Sequence, residues 1–188
     1  MQTLGLTPTP RTDGRIKSLF WPTVANDVDV DYLTVQGFWV CLLVATITLG
    51  ISIVNGTYLA GGLESLFYYL GGMGVRQRSR VAAVSIFAAY SLAGVVLARY
   101  SAGSFGIGRI LFMALLLANV RAVWLAANWR RVGETDESPI RMSDTLTDKI
   151  SDRLPPLIWP KARLVFYLFA LLENAFLVLA LFAPIPRR

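Results

Sequence analysis

Histidine is absent from the 188 residues, and charged residues make up only 16% of them, against about 25% in an average soluble domain. Without imidazole there can be no usual zinc triad, no bis-histidine haem ligation, no carboxylate–histidine di-iron site and no His-dependent nucleophile relay. The only cysteine, Cys41, lies inside an apolar run, so no intrachain disulfide can form and thiol usage says nothing about redox compartment. No repeat with a period of about 20 to 50 residues is visible. The glycine clusters Gly71-Gly72-Met73-Gly74 and Gly103 to Gly108 lack the preceding strand and the Gly-Lys-Ser/Thr ending of a phosphate loop, so they read as hinges or helix ends. Catalysis would have to rest on carboxylates or a Ser/Lys pair, yet Lys149 and Lys161 fall outside every apolar segment, and no two aspartates lie within them. The expectation is a non-enzymatic protein with no metal and no cofactor.

What the chain has is apolar length: 55% of its residues are hydrophobic and its mean hydropathy is +0.54. An all-α, polytopic transmembrane helix bundle follows, with spans at about 38–54, 58–75, 81–97, 110–129 and 164–183. The first, Phe38 to Val54, is uncharged throughout and close to the length that a hydrocarbon layer of about 30 Å requires. Asn55-Gly56 signals a turn, and Tyr58 to Val75 is long enough to return, although Glu64 and its glycines weaken it. Residues 1–36 hold no signal-like apolar core and read as a retained N-terminal segment. Residues 37–129 then carry spans one to four, 130–160 form a loop, and 161–188 form the fifth span and its tail.

Lys and Arg set the orientation, because cytoplasmic loops carry the excess. With five crossings, residues 1–36, 76–80 and 130–163 share a side and hold thirteen of these residues, leaving Arg99, Arg109, Arg187 and Arg188 opposite. With four crossings the bias disappears. The expected protein is multi-pass with a cytoplasmic N-terminus, in the plasma (inner) membrane if the source is bacterial. Anionic lipid accounts for the net charge of +6, so no nucleic-acid partner is expected. Trp39, Trp124, Trp129 and Trp159 suit the membrane interface, and Pro160 suits the first turn of a helix.

In the loop, Leu146, Ile150 and Leu154 recur every fourth position until Pro155-Pro156, predicting a short amphipathic interfacial helix near 143–154. Asp27, Asp29 and Asp31 imitate the start of a calcium loop, but Tyr32 and Phe38 stand where glycine and glutamate belong, leaving a solvated strand or turn.

Two features organise the predicted bundle. Ser85, Ala89 and Ala93 in span three, and Ala114, Ala118, Ala122 and Ala126 in span four, form small-residue ridges that let backbones approach. They predict a tight span three–span four core, and could equally serve a homo-oligomer or a membrane-protein partner. Glu64, Arg121 and Glu173 are charged residues within spans and, counted from the inner boundary charges, share a depth near mid-membrane, with Asn119 and Asn174 beside them. As a buried ion-paired cluster they imply a structural, accessory or assembly component. As two carboxylates sharing one guanidinium, they imply a small proton-coupled transporter or channel subunit using Glu64 or Glu173 paired with Arg121.

Overall fold

The computed structural model describes residues 20–24, 27–100, 106–132 and 146–184. Within them the chain forms five helices and no strand: α1 (Asp27–Val54), α2 (Tyr58–Arg76), α3 (Arg80–Tyr100), α4 (Ile107–Val132) and α5 (Leu146–Phe182). Four of these, all except α2, are long and apolar enough to cross a membrane. Residues 1–19 and 133–145, including the start of the expected interfacial helix, lie outside the described residues, as does the side chain of Trp129.

Two boundaries differ from the sequence expectation. α1 begins at Asp27, so the Asp27–Asp31 stretch is helical instead of a strand or turn, and Asp27 and Asp29 occupy the first turn. Acidic side chains there complement the positive end of the helix dipole. Residues 146–154 are not a separate helix ended by proline: α5 continues through Pro155, Pro156 and Pro160 into the expected fifth span. Each proline removes a donor and leaves the carbonyl four residues earlier without its intrahelical partner. For Pro155 that carbonyl belongs to Ser151, which accepts a hydrogen bond from Arg76 Nε at 3.2 Å. A neighbouring helix thus satisfies the group that proline orphans, as prolines inside membrane helices require.

The α1–α2 connection follows its turn signal. Asn55, Gly56 and Thr57 reverse the chain, and Gly56 has φ +72°, a left-handed conformation that glycine adopts without strain. α1 and α2 then form the most extensive helix pair, and α2 also packs on α3 and α5; α4 packs on α1 and α3. The tight core is therefore centred on α2, not on α3 and α4. Ala89, Ala118, Ala122 and Ala126 are buried, but Ser85 lies on the side facing α5, where its carbonyl accepts from Asn174. An every-fourth-residue ladder identifies a flat face without saying which helix covers it.

The α2 glycines set this arrangement. A Cβ on Gly72 would lie 2.9 Å from Cys41 Cβ on α1, one on Gly71 would meet Ile86 on α3, and one on Gly74 would meet the Trp159 ring and come within 2.6 Å of Ala82 Cβ. They are close-approach points, not hinges. Around them Phe38, Phe67, Met73, Ile86 and Phe166 are almost wholly buried, with the Phe67 and Phe166 rings stacked 5.5 Å apart. Gly74→Ala is expected to destabilise the bundle by about 1–3 kcal/mol through overpacking. Gly62→Ala, whose Cβ would meet nothing within 4 Å, should be neutral or stabilise by up to about 1 kcal/mol. Equilibrium unfolding in mixed micelles checks the contrast.

Candidate functional site

Charged side chains gather at two levels of the bundle. One level lies where α2 ends, α1 begins and α5 enters. There the Arg76 guanidinium donates to Asp31 Oδ1 at 2.6 Å, to Thr34 Oγ1 at 3.3 Å, to Asp152 Oδ1 at 2.7 Å and to the Ser151 carbonyl. One side chain on α2 therefore joins α1 and α5. Its side chain is 13% exposed and that of Asp31 11%, so this pair is shielded from water, whereas Asp152 at 39% is partly screened.

Two residues on, the chain turns through Arg78 at φ 56°, where glycine usually sits. Ser79 N–H donates to Gly74 O and Arg78 N–H to Val75 O, closing the last turn of α2. The left-handed backbone costs a non-glycine residue about 1–2 kcal/mol. Arg78 offsets part of it with a bidentate pair to Asp27, at 2.6 and 2.9 Å. Two of the three aspartates that imitate a calcium loop, Asp27 and Asp31, are thus the partners of arginines.

Arg121 belongs near this level, not with the glutamates. Its guanidinium donates to Pro22 O at 2.9 Å and lies 4.8 Å from the centre of the Trp21 ring, and it pairs with neither Glu64 nor Glu173. Asn119, one half-turn earlier, is buried and donates to Leu33 O at 2.7 Å, which fixes the height of this part of α4 against the start of α1. The depth expected from the sequence fails because α4 continues to Val132, well beyond Arg121, so Arg131 does not mark the level at which α1 begins.

The second level holds Glu64 and Glu173, and the cation within electrostatic range of Glu64 is Arg109. Arg109 lies 5.1 Å over the Tyr90 ring, and Tyr90 in turn meets Tyr68 edge-on at 6.3 Å. Tyr68 follows Glu64 by one helical turn, so two carboxylates, two phenols and a guanidinium from four helices converge here. Arg109 Nη1 is buried without a hydrogen-bond partner among the described residues. By its place at the start of the fourth span, Arg109 resembles a boundary charge. The missed signal is reach: a long side chain at a helix end can bend several ångströms along the bundle. Asn174 does not join this cluster directly; its amide donates to Ala170 O at 2.8 Å and to Ser85 O at 3.5 Å.

Above this level, Arg99 and Tyr100 on α3 donate to the carbonyls of Leu181, Ala183 and Ala180, covering the last turn of α5. These carbonyls have no intrahelical donor, and a cation beside them also complements the negative end of the helix dipole.

Comparison of the chain with protein-family models, with curated proteins and with solved structures gives no match.

Arg76→Leu should cost about 3–5 kcal/mol, because it leaves Asp31 buried beside an orphaned carbonyl. Arg121→Leu should cost only about 1–2 kcal/mol, one hydrogen bond and one ring contact. Adding Asp31→Asn to Arg76→Leu should recover part of the loss. Unfolding free energies of the purified variants in mixed micelles test the ranking, and the reverse order would remove Arg76 from its central position.

Proposed function

We propose that the chain is a five-span integral membrane protein with its N-terminus in the cytoplasm, acting without enzymatic chemistry as a structural, accessory or assembly component. The observation that carries this reading is the separation of its two polar levels. Between Glu64 and Arg76, α2 passes through a packed layer that includes Phe67, Leu70, Met73 and Val75, closed from the other helices by Phe38, Ile86 and Phe166. A proton or solute moving between the levels would meet a layer of mainly apolar side chains. Charges placed in this way tie helices together.

The crossing of α2 is part of the proposal. At 19 residues and about 1.5 Å per residue, α2 is about 28 Å long, close to the thickness of the hydrocarbon layer. Its modest hydropathy suits a helix with three helical neighbours, because such a helix presents little surface to lipid. Lys and Arg would then concentrate on the side of Arg76, Arg78 and Arg80.

A second reading rests on Glu64, Glu173 and Arg109. Two carboxylates near each other, one of them within range of a guanidinium with an unpartnered Nη1, provide a place to hold a proton, as a proton-coupled carrier subunit needs.

One pair of measurements separates the readings. In the scaffold reading, Glu64→Gln with Glu173→Gln unfolds within about 1 kcal/mol of the unaltered protein, and liposomes containing either protein hold a pH gradient as well as empty ones. In the carrier reading, the unaltered protein dissipates the gradient and the double variant does not. A reporter fused after Arg188 should lie outside the cell; a cytoplasmic readout would refute five crossings.

A further inference from the structure

An open groove of about 570 Å³ runs between α3 and α5, lined on α3 by Val81, Ser85 and Ala88 and on α5 by Tyr167, Asn174 and Val178. Its size lies in the range of small-molecule sites, but its walls are almost entirely apolar. Of its few polar atoms, Asn174 Nδ2 donates to Ser85 O across the groove and to Ala170 O along α5, while Asn174 Oδ1 is buried without a hydrogen-bond partner among the described residues. The groove therefore offers dispersion contacts along its length, with a strut between its two helices.

Charge is present at one mouth. Arg163 lies one helical turn before Tyr167, on the stripe that continues through Ala170, Asn174 and Val178, so it extends the α5 wall toward the end of the bundle that holds Arg76 and Arg78. It is exposed and has no ion-pair partner among the described residues. The facing wall begins at the first turn of α3, where the positive end of the helix dipole lies beside Val81. Arg80 turns away, its guanidinium 5.3 Å from the Trp124 ring on α4. An apolar trough that opens onto a guanidinium and a helix N-terminus is complementary to a molecule with a phosphate at one end and a hydrocarbon chain behind it.

We infer that the α3–α5 groove binds one acyl chain of an anionic glycerophospholipid, with its phosphate held by Arg163 at the mouth beside the first turn of α3. This goes beyond the scaffold reading and does not depend on whether α2 crosses, since it requires only that α3 and α5 lie in a bilayer. The groove face of α5 is continuous with exposed leucines such as Leu164 and Leu171, so a chain can enter sideways from the lipid. In the shared polar chemistry of phospholipids, the phosphate would accept two parallel N–H bonds from the guanidinium.

The test is native mass spectrometry of the full chain released from neutral detergent after titration with phosphatidylglycerol or phosphatidylcholine. The unaltered protein should retain one lipid, with phosphatidylglycerol preferred about fivefold, the increment one basic side chain provides at a membrane surface. Arg163→Gln should abolish that preference while retaining a chain. Ala175→Phe, which fills the groove, should remove both lipids, and an unchanged elution profile in detergent shows that either variant is folded. Equal retention of the two lipids by the unaltered protein, an undiminished preference in Arg163→Gln, or lipid retention unchanged in Ala175→Phe overturns the proposal. So does a dimer that excludes lipid and is lost in Ala175→Phe, which would assign the groove to a second copy of the chain.

Discussion

Pro155 removes the donor that Ser151 O would have within α5, and Arg76 supplies another from α2. In water such a carbonyl would cost little, because solvent would bond it. Inside a bundle, with Ser151 fully buried, the same carbonyl would be left with a penalty comparable to a lost hydrogen bond. Satisfying it requires α2 to end against this turn of α5, and the remaining guanidinium donors then draw in Asp31 of α1 and Asp152 of α5. Three helix positions follow from one backbone defect. With α5 continuous through its prolines, Trp159 is carried to the face of Gly74, where the absence of a Cβ makes room for its ring.

Arginine performs the same task elsewhere in the bundle. Arg99 covers the terminal carbonyls of α5, Arg121 takes the Pro22 carbonyl, and Arg78 holds a strained turn by pairing with Asp27. A guanidinium suits these places because its donors fan out in one plane and can meet a carbonyl and a carboxylate together, while an ammonium presents a compact charge. The aromatic faces of Trp21, Trp124 and Tyr90 receive Arg121, Arg80 and Arg109 as well, so the cations are shared between oxygen acceptors and rings. The basic composition of the chain thus contributes to helix connection.

The helices were legible in the sequence where local rules act alone. Apolar length marks α3 and α4 to within a few residues, and Asn55-Gly56 marks the reversal after α1. Failures came where a distant residue changes the local outcome. Pro155-Pro156 ends a helix by its own chemistry, whereas here Arg76, far away in the chain, satisfies the carbonyl that Pro155 orphans. Arg121 and Arg109 show the same limit: counting residues from a boundary charge assigns a height, but α4 extends past the boundary and Arg109 bends along it, so the cation near the glutamates is the one that looks peripheral. The carboxylates Glu64 and Glu173 were legible as a pair because both lie in otherwise apolar segments. Their partner was not, since side-chain direction is set by the helices that surround it.

The low hydropathy of α2 has its cause in its central position. In lipid, burying an apolar side chain between helices gains little over leaving it among acyl chains, so leucine belongs on the outside of a bundle, where α5 carries it. The interior favours residues that let backbones come close, and α2 supplies glycines toward α1, α3 and α5 together with a serine that donates to Ala45 O at 2.9 Å. Glu64 is tolerable on this helix for the same reason: its neighbours at that height are Tyr68, Glu173 and Arg109 instead of lipid alone. A hydropathy criterion for membrane crossing therefore passes over the helix at the centre of the packing. In a small bundle of this kind, a weak segment flanked by strong ones and rich in glycine marks the centre of the packing.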